Sequence, residues 1–272
     1  MRVLQQTFTL ANGVEIPKIG LGTWQMSPDE AYNSTKFALE NGYLHVDTAV
    51  SYRNQQAVGK AVKDSGLDRD TVYITTKIPG EVKTYDEAKA TIEQSLKELD
   101  VEYIDLILIH APRPWQVMHD RPIENHYYEE NANVWRAMVE AYEAGQLKAI
   151  GVSNFSIDDL EHLMATTTVA PHVNQVIYHI GRTNQELLAF CQNNHILLEG
   201  YSPIATGRLL DNQQIKAIAD KYDKSIPQIC IRYLLEKDIL PLPKSVHEDY
   251  ILQNADVDFS IEADDMAYLD SL

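Results

Sequence analysis

Apolar and polar positions along this chain follow two alternating rhythms. Compact apolar runs rich in β-formers recur, and each is followed by a stretch whose apolar positions return every three or four residues. The compact runs predict strands at residues 43–46, 72–76, 104–109, 149–152, 172–176, 196–200 and 239–242. An earlier one, Lys18-Ile19-Gly20-Leu21-Gly22-Thr23-Trp24, predicts a short strand that opens into a glycine-rich loop. The intervening stretches predict helices. Ser27 caps the first, with Pro28 in its first turn and Glu30 closing a capping box, and Asn41-Gly42 stops it. A second helix covers 55–62 and stops near Gly66. Thr84 and Glu87 form the next cap, ahead of an apolar stripe at Ala88, Ile92, Leu96 and Leu99. Further helices are expected over 135–143, after Ser156, and over 186–191, 215–222 and 227–236. Two segments stand outside the alternation. Asn12-Gly13 between extended runs at 7–10 and 14–16 predicts a hairpin, and 112–129 is a polar, proline-punctuated insertion.

Strand alternating with helix implies a parallel sheet covered by helices. Eight such units, with no linker or low-complexity break, predict one domain over residues 1–272. The fold class expected is α/β, a (β/α)8 TIM barrel with the N-terminal β-hairpin plugging one end. An open doubly wound sheet is the alternative, but Gly20-Leu21-Gly22-Thr23-Trp24-Gln25 lacks the third glycine of its fingerprint.

Charge narrows the partners. The formal net charge is −17 over 272 residues, which repels phosphate backbones and argues against nucleic acid. A phosphate ligand needs basic residues that converge locally. Cys191 and Cys230 read as small buried hydrophobes in a reducing compartment. Residues 1–6 have no signal-peptide core, and no apolar run approaches the roughly 20 residues of a spanning helix. A cytoplasmic monomer with no membrane partner is the expectation.

The predicted strand exits carry the candidate chemistry: Asp47, Lys77, His110, Ser153 with Asn154, Gln175, Tyr201 and Lys244. In a barrel these ends share one rim, where active sites sit. A phenol with a pKa of about 10 is a reluctant acid near neutrality. Lys77 beside Tyr52 is expected to lower that value, Asp47 to keep the lysine charged, and His110 to orient a substrate oxygen. Alone, each residue has a bland alternative as a solvated, capping or core group. Their joint spacing makes the case. The 115–129 loop reads either as solvated surface or as a lid, with Trp115 as a wall and Arg121 as a partner for an acidic or polyol substrate. Trp24 is expected to be a second wall. His119 and His126 have no cysteine nearby, and no metal site is expected. Tyr233-Leu234-Leu235-Glu236-Lys237 spells a short-chain dehydrogenase pattern, but it lies in a core-like helix without a Rossmann opening.

Taken together these residues resemble the aldo-keto reductase family. Its D-T-A-x-x-Y signature corresponds to Asp47-Thr48-Ala49-Val50-Ser51-Tyr52, followed by Asn54 and Val58-Gly59. Further matches are Gly20-Leu21-Gly22-Thr23-Trp24, Lys77, Leu108-Ile109-His110, Gly151-Val152-Ser153-Asn154-Phe155, Asn174-Gln175, Tyr201-Ser202-Pro203 and Pro243-Lys244-Ser245. The resemblance implies reduction of small aldehydes and ketones with NADPH. Its microbial members further point to small dicarbonyls such as methylglyoxal or keto-sugar acids such as diketogluconate. Tyr52 would be the proton donor, tuned by Lys77 and Asp47, with His110 orienting the carbonyl. Ser153, Asn154 and Gln175 would hold the carboxamide and Tyr201 would stack on the nicotinamide. Gly22, Thr23, Asp47, Ser202, Ile204, Lys244, Ser245, Val246, Tyr250, Gln253 and Asn254 would complete the cofactor groove. Trp24, Val50, His110 and Trp115 would face substrate.

Two departures stand out. Tyr250-Ile251-Leu252-Gln253-Asn254 replaces the family's R-I-x-E-N, so the arginine expected at a 2′-phosphate is missing and NADH is admitted as a second cofactor. Ala111 stands where the family often has tryptophan. A catalytically silent NADP(H)-binding regulatory barrel remains the alternative. It would need Asn154, Gln175, Tyr201 and Lys244, but not all of Asp47, Tyr52, Lys77 and His110.

Overall fold

The computed structural model describes residues 2–272. A hairpin of β1 (Thr7–Thr9) and β2 (Glu15–Pro17) precedes eight parallel strands: β3 (Leu21–Gly22), β4 (His45–Asp47), β5 (Tyr73–Ile78), β6 (Ile104–Ile109), β7 (Leu147–Ser153), β8 (Val173–Ile177), β9 (Leu197–Tyr201) and β10 (Leu240–Leu242). They pair in sequence order. Gly20 and Gly22 close the ring by donating to the carbonyls of Pro241 (3.2 Å) and Pro243 (2.9 Å). The prolines have no N–H to return.

Helices α1 (Pro28–Glu40), α2 (Gln55–Asp64), α3 (Tyr85–Leu99), α4 (Tyr128–Glu143), α5 (Ile157–Met164), α6 (Gln185–Asn193), α7 (Gln213–Lys221) and α8 (Ile226–Leu235) connect or follow the strands. Then come α9 (Glu248–Ala255) and α10 (Ala263–Asp270). The Ser27–Glu30 box and the Thr84 cap form as expected.

Strand alternation sorts residues between two cores. Along β6, Leu106 and Leu108 face the interior, where they pack with Leu10 and Ile16 around the hairpin, while Ile107 and Ile109 face the helices. The hairpin therefore plugs one end and leaves chemistry to the other. Gly20 has a packing task. A Cβ there would stand 2.6 Å from His45 Nδ1, so the glycine makes room for a buried imidazole.

Several boundaries moved. α4 begins at Tyr128, not near Trp135, so the insertion ends earlier, and a 3-10 turn lies inside it at Trp115–Val117. The strand expected over 18–24 pairs only at Leu21–Gly22. Neither α9 nor α10 was anticipated. Tyr250 and Leu252 of α9 are exposed, and Leu269 is the one buried residue of α10, so neither helix shows a clear apolar stripe. The Tyr233–Lys237 pattern is structural: Tyr233 is buried and donates to Asp270, which Lys237 also meets at 2.8 Å.

Close packing gives a stability prediction. A Cβ at Gly59 on α2 would lie 2.1 Å from the Leu99 carbonyl oxygen at the end of α3. Gly59→Ala forces the helices apart and lowers stability by about 2–3 kcal/mol. Thermal unfolding should show a Tm fall on the order of 5–10 °C for a chain of this size.

Candidate active site

Period-two alternation turns His45 and Asp47 of β4, and Tyr73, Thr75 and Lys77 of β5, into the barrel. At the bottom of this column His45 Nε2 meets Thr75 Oγ1 at 2.9 Å. Burial, with Lys77 adding to it, takes His45 down to about 3, so it is a neutral packing group.

Above it, Lys77 is fully buried. Its ammonium donates to Asp47 Oδ1 (2.6 Å), the Thr48 carbonyl (2.9 Å) and the Tyr52 hydroxyl (3.4 Å). All three of its hydrogens are thereby engaged. Tyr52 reaches this point from a 3-10 turn at Val50–Tyr52 that ends on left-handed Arg53. The loop between is fixed from below: Thr48 donates to Asn54 Oδ1 (2.7 Å), and Asn54 Nδ2 donates to the Thr23 carbonyl (3.0 Å). Thr23 is itself buried and donates to the Asp47 carbonyl through its amide and its hydroxyl. Its position supports the end of β4.

Burial would pull the Lys77 ammonium down, but Asp47 and Tyr52 more than offset this and hold it up. Lys77 pulls Tyr52 down as expected, but the net shift of the phenol is upward. Burial lifts the phenol above its ordinary value and Asp47 adds to the rise, while the opposing pull of Lys77 is smaller. Tyr52 therefore stays protonated at neutral pH, the state a proton donor needs. Burial, reinforced by Lys77, lowers His110 to about 3 and makes it a neutral imidazole. Its ring stands edge-on to Tyr52 at 5.6 Å and edge-on to Trp115 at 5.4 Å.

Trp115 is held by the loop after β5. Its amide donates to Glu81 Oε1 (3.1 Å), and Lys83 donates to the Pro112 carbonyl (3.0 Å) and Asn131 Oδ1 (2.7 Å). Buried Arg113 donates to the Met118 carbonyl at 3.3 Å. The anchoring roles of the Glu81, Lys83, Asn131 and Arg113 side chains were not anticipated, because anchors between two loops leave no periodic signal. Arg121 is exposed and donates to the Asp120 carbonyl. Trp24 lies 46% exposed on the loop after β3, and Val50 is half-buried at the start of the 3-10 turn.

The opposite side of the rim comes from β7 to β10. Asn154, in left-handed conformation at φ 62°, donates through Nδ2 to the His110 carbonyl and Ser153 Oγ, both at 3.1 Å. Its Oδ1 accepts from the Tyr201 hydroxyl at 2.8 Å. One amide thus ties together the groups expected at substrate and at cofactor. Gln175 is buried, and its Nε2 donates to Asp47 Oδ2 and Glu199 Oε2, both at 2.8 Å. Its Oε1 is the side-chain atom left to accept a ligand hydrogen. The loop after β9 places Ser202, Ala205 and Thr206 at φ 51–54°, a strained conformation for residues with a Cβ. Ile204 is half-buried in it. At the exit of β10 Lys244 is exposed, Ser245 accepts the His247 amide (3.0 Å) in a turn that opens α9, and Val246 packs on the core. Tyr250 and Gln253 are exposed on α9, with Tyr250 edge-on to His247, while Asn254 is buried. A Cβ on Gly22 would come within 3.5 Å of the Leu242 carbonyl, which places this glycine against the same exit.

These atoms fit a nicotinamide nucleotide. An amide oxygen and a phenol ring lie at the barrel mouth, a strained backbone loop follows, and an exposed lysine stands beside a helix start. A barrel whose mouth pairs a buried lysine and a protonated tyrosine with such a groove defines a nicotinamide-dependent carbonyl oxidoreductase. The chain belongs to the aldo/keto reductase family, whose model matches residues 18–272. It is 38% identical over 271 residues to a glyoxal reductase of Bacillus subtilis (strain 168), covering 99% of this chain and 93% of the relative. An aldo-keto reductase from a Medee basin deep-sea metagenome library superposes with a TM-score of 0.91 at 40% identity, covering 97% of this chain and 94% of that one. The Bombyx mori aldo-keto reductase in complex with NADP superposes at 0.87 with 30% identity, covering 98% and 92%.

Proposed function

We propose that the chain reduces small aldehydes and ketones to alcohols with NADPH, with Tyr52 as the proton donor. The observation that carries this reading is the Lys77 ammonium, bonded at once to Asp47, the Thr48 carbonyl and Tyr52. NADPH, when bound, supplies the hydride. Tyr201 and the Gln175 oxygen would hold the nicotinamide, with Ser153 and Asn154 beside them. His110, as a neutral imidazole, orients the substrate carbonyl without competing for the proton. Tyr52 gives its proton to the carbonyl oxygen as negative charge grows there. Lys77 stabilises the phenolate that remains, and Asp47 keeps Lys77 charged without an unbalanced cation in the barrel. Trp24, Val50 and Trp115 wall the pocket and favour compact substrates. The glyoxal reductase relative supports small dicarbonyls as the substrate class.

A catalytically silent cofactor-binding barrel would have no use for the assembled Asp47–Lys77–Tyr52 group. The discriminating experiment is a panel of small aldehydes, ketones and dicarbonyls followed by NADPH oxidation. Turnover supports the reading, and cofactor binding without turnover across the panel overturns it.

Lys244 and the turn at Ser245 favour the 2′-phosphate, while Tyr250 offers a stacking surface where an arginine would clamp it. Tyr250 is 56% exposed on the first turns of α9, so it can be exchanged at little structural cost. Tyr250→Arg should raise the ratio of kcat/KM for NADPH over NADH by about tenfold, the worth of one charge-assisted contact. Steady-state kinetics with both cofactors measures it.

A further inference from the structure

Glu199 is a carboxyl group with no place in the reaction just described. It lies on β9, two residues before Tyr201, so both side chains face the barrel interior. It is fully buried, its Oε2 accepts from Gln175 Nε2 at 2.8 Å, and its Oε1 has no partner. The same nitrogen reaches Asp47 Oδ2 at 2.8 Å. Two acids therefore share one amide, with one cation, Lys77, to balance them. Lys77 touches Asp47. The proton consequently resides on Glu199, since like charges this close do not both ionise in a buried site.

The other groups facing it do not change this count. Asp47 and Lys77 form a neutral pair, Tyr73 is a neutral buried phenol, and the neighbouring strands contribute Gln175 and Leu240. Burial, then Asp47, raise the acid to about 8, within reach of small perturbations.

We propose that Glu199 is a positioning residue whose proton sets the relative affinity for oxidised and reduced cofactor. As a neutral acid it anchors Gln175, so that the amide oxygen faces the nicotinamide. A positively charged oxidised ring above Gln175 favours the ionised acid, and the proton leaves to solvent. The neutral reduced ring exerts no such pull. Binding of NADP+ is thereby coupled to proton release, while binding of NADPH is not. This rests on the nicotinamide reading of the preceding section.

The test is the dissociation constants of NADP+ and NADPH, measured by titration calorimetry from about pH 6.5 to 9 in two buffers of different ionisation enthalpy. The 2′-phosphate titrates alike in both forms and cancels in their ratio. In the unmodified protein, affinity for NADP+ relative to NADPH should rise at least about fivefold across this range, with more protons released on binding NADP+ than on binding NADPH. In Glu199→Gln, which keeps shape but cannot ionise, the ratio should stay within about twofold and the excess release with NADP+ should vanish. A flat ratio in the unmodified protein, or the same slope in the variant, overturns the proposal. The proton count on the unmodified protein decides the matter even if the variant does not fold. Failure of either cofactor to bind would instead overturn the nicotinamide reading.

Discussion

Tyr52→Phe should lower kcat for carbonyl reduction by about 10²–10⁴-fold, the usual range for a lost general acid, and leave NADPH affinity within about twofold. The separation follows from geometry. Phenylalanine keeps the ring that stands edge-on to His110 and lies 4.9 Å from Lys77 Nζ. It removes only the hydroxyl that Lys77 reaches at 3.4 Å. Stopped-flow single turnovers beside fluorescence titration resolve the two quantities, and a variant that still turns over rapidly would mean the proton has another source. The same hydroxyl predicts a pH asymmetry. Alcohol oxidation requires phenolate, and burial holds the phenol above its ordinary range. Its kcat/KM should therefore climb with pH up to at least about 10, whereas reduction requires the protonated form that already dominates at neutrality.

Lys77→Met should have the largest combined effect. The pair it breaks is buried on both sides, with side-chain exposures of 0% and 5%. Removing one partner leaves Asp47 uncompensated and should cost about 3–5 kcal/mol in denaturant unfolding, with turnover falling alongside. Adding Asp47→Asn removes the stranded charge. The double variant should regain much of the stability and none of the activity. If the double variant were no more stable than Lys77→Met, the ion pair would not be the source of the loss.

The barrel was legible because each strand and helix carries its own local signal. Capping residues such as Ser27 and Ser156 and the apolar stripe of α3 need no tertiary context. The start of α4 was hidden because Tyr127 precedes it at φ 58° with no side-chain cap. The convergence of Asp47, Lys77 and Tyr52 was legible through their residue types at and just after strand exits. The direction of the Tyr52 shift was not, since it depends on how much water the folded rim excludes. Glu199 could have been found: a carboxylate inside the apolar run Leu197-Leu198-Glu199-Gly200 breaks the strand's own pattern. The anchoring of Trp115 by Glu81 and Lys83 had no such sign.

The ring of strands is not uniformly stitched. Where β10 meets β3, Gly20 and Gly22 donate to Pro241 and Pro243 and receive nothing back. That junction is the thinnest line in the cylinder, with half the cross-links a pair of ordinary residues would form. It is where the first and last strands of the barrel meet, so no crossover helix spans it. With fewer cross-links, this line is where local opening is expected first, like a book parting at its covers. The groove floor at Gly22 and the lysine at the end of β10 stand on its two sides. In the proposed cofactor groove, a dinucleotide laid across them would fasten the two covers together and add to the closure that the prolines leave unfinished.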